Sequence, residues 1–218
     1  TNLFRIISIN KCSTFILFIY NICIKFVYKV IFSGNFIMHN SVQKLINIQN
    51  SLSLKFKNLE ISKLPNIIAV SKTFKIEKIL PLIEFGHLHY GENKVQEAID
   101  KWSDIKSQNT ALKLHLIGKL QTNKVKLSLK IFDYIHSVDN EKLAQKISDE
   151  QFKQNKKIKI FIQVNIAGEV QKSGIDKDSL KDFYSFCINL NLDVVGLMCI
   201  PPLNQDSTEF FQELKLLN

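Results

Sequence analysis

The chain has 218 residues, 29 lysines and arginines against 20 acidic residues, and a formal net charge of +9. An ordinary hydrophobic fraction of 45% favours a single domain with a sizeable core. Four basic residues lie before Met38, and the remaining positive charge is spread along the chain, which argues against a specific nucleic-acid partner.

The first 37 residues differ from the rest of the chain. Residues 14–32 are almost wholly apolar and approach the ~20 residues that cross a bilayer. Lys25 and Lys29 lie within that stretch and make a stable span costly, at roughly 2.5–3.5 kcal/mol each if central. Because Met38 opens the remaining part, we predict that residues 1–37 are extraneous and that residues 38–218 form the domain. A targeting peptide or a membrane anchor is the alternative.

Short apolar runs alternate with amphipathic runs after a first predicted helix at residues 40–59. Six successive βα units predict an α/β fold with a parallel sheet. Periodicity alone does not distinguish a doubly wound sheet from a closed barrel. The predicted strands are 67–71, 87–90, 113–117, 134–137, 159–165 and 193–198, and the predicted helices that follow them are 76–85, 94–101, 124–129, 141–154, 177–189 and 207–217.

Lys72 follows the first of these strands, whose continuous apolar run is typical of a strand buried on both faces. Ligands of parallel α/β folds bind at the carboxyl ends of the strands. A lysine held there is partly desolvated, which favours the neutral amine that can form a Schiff base with an aldehyde. By itself, however, a lysine after a strand is more often a solvated surface residue.

Six short motifs follow Lys72 in a fixed order. They are Gly91-Glu92-Asn93-Lys94-Val95-Gln96-Glu97, His115-Leu116-Ile117-Gly118-Lys119-Leu120-Gln121-Thr122-Asn123-Lys124, His136-Ser137-Val138-Asp139, Gln163-Val164-Asn165, Lys172-Ser173-Gly174 and Gly196-Leu197-Met198. In this order and spacing, the chain from Met38 to about Leu217 resembles the YggS/PROSC family of pyridoxal phosphate homeostasis proteins.

The resemblance implies a (β/α)8 TIM-type barrel of the alanine racemase N-terminal class. It implies pyridoxal 5′-phosphate (PLP) as the cofactor, Lys72 as its Schiff-base lysine and Asn93 beside its ring, although plain helix capping is an equal alternative for Asn93. It further implies a monomeric, non-catalytic and cytoplasmic protein whose partners are PLP and PLP-dependent apoenzymes. No metal site is expected, because none of the four cysteines has a metal-ligand spacing.

The number of βα units is too small for a complete barrel. Only six are present where a (β/α)8 barrel needs eight, and the resemblance implies two further units that hold the cofactor's phosphate. The chain is therefore expected to be incomplete, with two strand edges left unpaired. Two alternative functions stay open: a PLP-dependent racemase-like enzyme, and a truncated member that no longer binds PLP.

The remaining polar residues of these motifs are interpreted from their positions in the predicted strands, helices and loops. His115 lies in a strand pattern, where a lone histidine is most often a hydrogen-bonded core residue. Asp139 is predicted to cap the following helix. Gln163 and Asn165 could point into the barrel mouth, and Lys172 could meet an anion or be solvated.

Overall fold

A computed structural model describes residues 4–10, 15–19, 38–58, 64–169 and 171–218. Within these residues, eight strands form a closed barrel in chain order. The strands are β1 Phe4–Asn10, β2 Phe15–Ile19, β3 Ile67–Val70, β4 His89–Glu92, β5 Lys113–Leu116, β6 Tyr134–Val138, β7 Lys159–Gln163 and β8 Asp193–Cys199.

Helices follow the strands from β3 onward, after a first helix that precedes β3. They are α1 Asn40–Asn58, α2 Leu80–Glu84, α3 Val95–Gln108, α4 Val125–Ile131, α5 Glu141–Gln154, α6 Leu180–Asn189 and α7 Ser207–Leu217. A single 3₁₀ turn precedes each of α2, α4 and α6.

Each strand from β3 to β7 pairs in parallel with the next strand in the chain, which confirms the predicted α/β fold with six βα units. The second parallel strand begins at His89, two residues later than predicted. Helix α3 runs seven residues beyond its predicted end at Lys101, because Trp102 continues the buried face that Val95 and Ala98 begin. That spacing of three and four residues keeps all three side chains against the barrel.

Strands β1 and β2 close the sheet between β8 and β3. β1 pairs antiparallel with both β8 and β2, and β2 pairs in parallel with β3. The expectation of two unpaired strand edges is therefore wrong for the described residues, because the backbone groups of both edges are paired.

The predicted boundary at residue 38 stays a prediction. Of the apolar stretch 14–32, the structure describes only β2, and the remainder lies outside the described residues. Among the helices of the described residues, none is long and apolar enough to cross a membrane.

The core has two layers. A large layer lies between the strands and the helices, and a smaller apolar cluster fills the barrel interior, formed by Ile68, Val70, Ile117, Phe161 and Met198. Such interior side chains make a parallel barrel a packed core and leave ligand binding to its carboxyl-terminal face.

Two of the four cysteines lie within the described residues. Cys187 and Cys199 are buried free thiols, and burial raises the pKa of each to about 12. Neither thiol is therefore reactive at neutral pH. Cys12 and Cys23 lie outside the described residues.

Candidate functional site

A cavity of about 420 Å³ opens at the carboxyl ends of the parallel strands. Its wall is formed largely by residues that end a strand or directly follow one. Among them are the two predicted site residues, Lys72 after β3 and Asn93 after β4, together with Gln163, Asn165, Lys172 and Ser173. The structure thus brings both predicted site residues to one cavity.

Lys72 is half-buried in the turn that follows β3. Burial lowers the pKa of its ammonium below the ordinary lysine value, and the carboxylate of Glu97 acts in the opposite direction. Burial is the larger of the two influences, so the neutral amine is more accessible than it is for a solvated lysine. This agrees with the partial desolvation predicted from the sequence.

The residues on either side of Lys72 are both tied to helix α3. Ser71 accepts a hydrogen bond at its backbone oxygen from Lys101 Nζ, at 2.9 Å. The backbone N–H of Thr73 donates to Glu97 Oε1, also at 2.9 Å. The short turn that carries Lys72 is therefore attached at both ends to the same helix.

Glu92 is the centre of a buried polar network beneath this turn. Its side chain is fully buried, and its Oε1 accepts hydrogen bonds from Ser71 Oγ at 2.7 Å, Lys101 Nζ at 2.9 Å and Trp102 Nε1 at 2.9 Å. Its other oxygen, Oε2, is buried without a hydrogen-bond partner among the described residues. Sequence reasoning assigned no role to Glu92, although an acidic residue at the end of a buried strand was a usable signal.

Asn93 lies in the cavity wall and does not cap α3. The residue at the helix N-cap is Lys94, which makes no side-chain capping bond, so the capping alternative is wrong. Gly118 packs against the backbone of Asn93, and a Cβ at residue 118 would lie 2.9 Å from Asn93 Cα. Gly118 therefore allows the two segments that follow β4 and β5 to approach closely.

The end of β7 and the loop after it form another part of the cavity wall. Gln163 Nε2 donates to the backbone oxygen of Ser173, and Asn165 Nδ2 donates to the backbone oxygen of Glu169, both at 3.0 Å. Lys172 forms an ion pair with Glu169 at 2.7 Å. The two amides predicted to face the barrel mouth thus hold this loop in place, and Lys172 lies in the cavity wall beside them.

Three histidines form a hydrogen-bonded chain inside the barrel. His115 Nε2 lies 3.0 Å from His89 Nδ1, and His115 Nδ1 lies 2.9 Å from His136 Nε2. This confirms His115 as a hydrogen-bonded core residue. Burial lowers the pKa of all three histidines, that of His136 to about 3. None of the three lines the cavity.

The described part of the chain contains no cluster of three or more histidine, cysteine or acidic side chains that could hold a metal ion. The polar groups available at the cavity are amines, amides and a hydroxyl. Such groups recognise an organic anion better than a cation.

Comparison with known proteins gives consistent matches. Residues 55–218 match the family model of the alanine racemase N-terminal domain. The pyridoxal phosphate homeostasis protein of Aquifex aeolicus is 37% identical over 155 residues, which cover 69% of this chain and 67% of that protein. The protein of the same name from Vibrio cholerae is 39% identical over 138 residues, covering 62% of this chain and only 58% of its own length.

Solved structures extend the likeness to three dimensions. PipY of Synechococcus elongatus with PLP bound is 30% identical, has a TM-score of 0.64, and the match covers 76% of this chain and 79% of PipY. An alanine racemase of Clostridium difficile shares the fold, with a TM-score of 0.52 at 14% identity over 77% of this chain and 45% of that one.

Proposed function

We propose that this chain, which belongs to the alanine racemase N-terminal domain family and to the family of pyridoxal phosphate homeostasis proteins, binds PLP reversibly through Lys72 and does not transform a substrate. The observation that carries the proposal is the position of Lys72, a half-buried amine with a lowered pKa, in the wall of the cavity at the barrel's carboxyl-terminal face. PipY, a structural neighbour, has been solved with PLP bound.

The residues of the cavity fit this cofactor. The volume of about 420 Å³ lies in the range of small-molecule sites. Three lysines, Lys72, Lys119 and Lys172, line the cavity and give it the positive charge that favours a phosphorylated ligand. When bound, PLP supplies an aldehyde, whose carbon can form a C=N bond with a neutral amine while its oxygen leaves as water, without any oxidant.

Each residue has a distinct role in this proposal. Lys72 would provide the amine at Nζ, and Asn93, in the same cavity wall, would lie beside the cofactor's ring. Lys119, which is exposed, and Lys172 provide positive charge for an anionic group. The amides of Gln163 and Asn165 hold the loop that carries Lys172.

The composition of the cavity wall supports a carrier over an enzyme. In the part of the chain that the structure describes, the wall contains no histidine, tyrosine, cysteine or carboxylate. A racemase needs a second acid or base opposite the lysine, and these side chains or another lysine serve as one. Among the described residues of the wall, Lys119 and Lys172 are the remaining titratable groups, and both are assigned to the anionic part of the ligand.

We further propose that the protein acts in the cytoplasm as a monomer, with PLP-dependent apoenzymes as recipients.

The experiment is chemical trapping of the cofactor. The purified chain is mixed with PLP, reduced with borohydride, digested and analysed by mass spectrometry. We expect the label on Lys72, its loss in Lys72→Ala, and its retention in Lys75→Ala, which removes an exposed lysine three residues away that does not line the cavity. Labelling spread evenly over surface lysines, or no labelling at all, would overturn the proposal. Exchange of the α-hydrogen of an amino acid in deuterated water would instead indicate the enzyme.

A further inference from the structure

We infer that Glu97 is a positioning residue for Lys72: its carboxylate holds the turn that directs the amine into the cavity and restrains the amine's reactivity by its charge. This inference rests on the proposed function of Lys72 and deepens it, because it names a residue outside the cavity wall that governs the site. It stands on the geometry of the turn between β3 and α2 and on the contacts that helix α3 makes with it.

The backbone conformation of Thr73 shows why the turn needs a stabilising contact. Thr73 has φ of +66°, the left-handed region that is unfavourable for a β-branched residue. Such a conformation persists only where surrounding contacts impose it. The hydrogen bond from Thr73 N–H to Glu97 Oε1, at 2.9 Å, is the contact that holds this residue to helix α3.

The other side of Lys72 is fixed independently of Glu97. Ser71 N–H donates to the backbone oxygen of Gly91 at 2.9 Å, and Ser71 Oγ donates to Glu92 Oε1 at 2.7 Å. Ser71 is thus anchored by the sheet and by the buried network, and Phe74 N–H donates to its backbone oxygen at 3.2 Å, which closes the turn. Between these two anchors Thr73 N–H is bound to helix α3, and we expect the direction of the Lys72 side chain to depend on that bond. Glu97 is the described side chain that bonds to that backbone.

The charge of Glu97 acts on the same amine. Its side chain is about one-third exposed and lies 3.6 Å from Lys101 Nζ, so its carboxylate is partly shared with that lysine. Its attraction raises the pKa of Lys72 against the larger lowering by burial. The other charged side chains that line the cavity are Lys119 and Lys172, and Lys172 is paired with Glu169. Glu97 is therefore the group that keeps Lys72 more protonated than its surroundings alone would.

The charge effect is tested without cofactor, by competitive acetylation of Lys72 at pH 7.5, followed by mass spectrometry. Glu97→Gln keeps an oxygen that can accept from Thr73 but removes the charge. We expect it to raise the acetylation rate of Lys72 roughly two- to fivefold, the size of a partly exposed ion-pair coupling. Asp104→Asn makes the same change at an exposed residue of the same helix and should leave the rate unchanged. Equal rates in the two variants would overturn this part of the inference.

The positioning effect is tested by rescue. Glu97→Ala removes the acceptor, and we expect PLP trapping at Lys72 to fall severalfold while the chain stays folded by circular dichroism. Adding Thr73→Gly should restore most of the trapping, because glycine adopts a positive φ without being held there. A general loss of stability would not be cured by that substitution, so failure of the rescue would overturn the positioning role.

The two proposals fail in different experiments. Absence of PLP trapping at Lys72 in the unaltered chain refutes the proposed function. The acetylation rates require no cofactor and refute or support the role of the Glu97 charge by themselves.

Discussion

Replacing Lys101 by methionine tests the buried network beneath the Lys72 turn. The side chain of Lys101 is 9% exposed and that of Glu92 is fully buried, and their charged atoms lie 2.9 Å apart. Removing one partner of such a pair leaves a buried carboxylate without its counter-charge, which destabilises a protein by about 3–5 kcal/mol. Methionine keeps most of the volume, so a packing defect contributes little. We therefore expect Lys101→Met to lower the free energy of unfolding by about 3 kcal/mol or more.

The assay is urea unfolding followed by circular dichroism, with the slope of the transition compared between variants. The matched control is Lys177→Met, whose ion pair with Glu213 joins side chains that are 42% and 40% exposed. Exposed pairs contribute about 0–1 kcal/mol, so the control should unfold close to the unaltered chain. Adding Glu92→Gln to Lys101→Met should recover part of the loss, since a buried amide needs no counter-charge. A Lys101→Met midpoint equal to that of the control would refute the reasoning.

Two further predictions concern the barrel interior and the cavity wall. Burial lowers the pKa of His136 to about 3, whereas the unfolded imidazole binds a proton below about 6.5. The unfolding free energy should therefore fall as pH drops from about 6.5 toward 3, by up to about 1.4 kcal/mol per pH unit for this residue. Urea titrations should show a shallower pH dependence in His136→Gln, and an unchanged dependence would contradict the assignment. Gly118→Ala places a Cβ 2.9 Å from Asn93 Cα. It should cost about 1–3 kcal/mol and reduce PLP trapping at Lys72, whereas normal stability and trapping would show that the segments separate easily.

The fold was predictable where the local pattern carries the information. Six βα units follow from hydrophobic periodicity, and helix α5 begins and ends at the residues predicted. The cap of that helix was misassigned: Asn140, whose side chain accepts from Leu143 N–H at 2.9 Å, is the N-cap, and Asp139 lies one residue before it. Both residue types cap well, and only the backbone angles decide between neighbours.

Long-range pairing was not predictable. His115 lies 26 residues after His89 and 21 residues before His136. The three meet only because the register of β4, β5 and β6 aligns them inside the barrel. The pairing of β1 and β2 with the parallel strands has the same character, since composition suggested a separate leader. The sequence of one strand alone does not determine its register with the strand that it pairs with.

The candidate site shows the same division between local and long-range information. The position of Lys72 after a buried strand, together with the family resemblance, predicted Lys72 as the amine of the site. The contacts that fix its turn come from helix α3, more than 20 residues away in the sequence. Burying a carboxylate costs desolvation free energy, and apolar side chains of the same volume often give a protein of equal stability. Glu92 nevertheless joins β4, Ser71 and α3 through three directed hydrogen bonds. Apolar contacts are not directional, whereas these bonds specify one orientation of the groups that they join. The network is therefore better explained by the orientation that it imposes on Ser71, at the start of the turn, than by a gain in stability of the barrel.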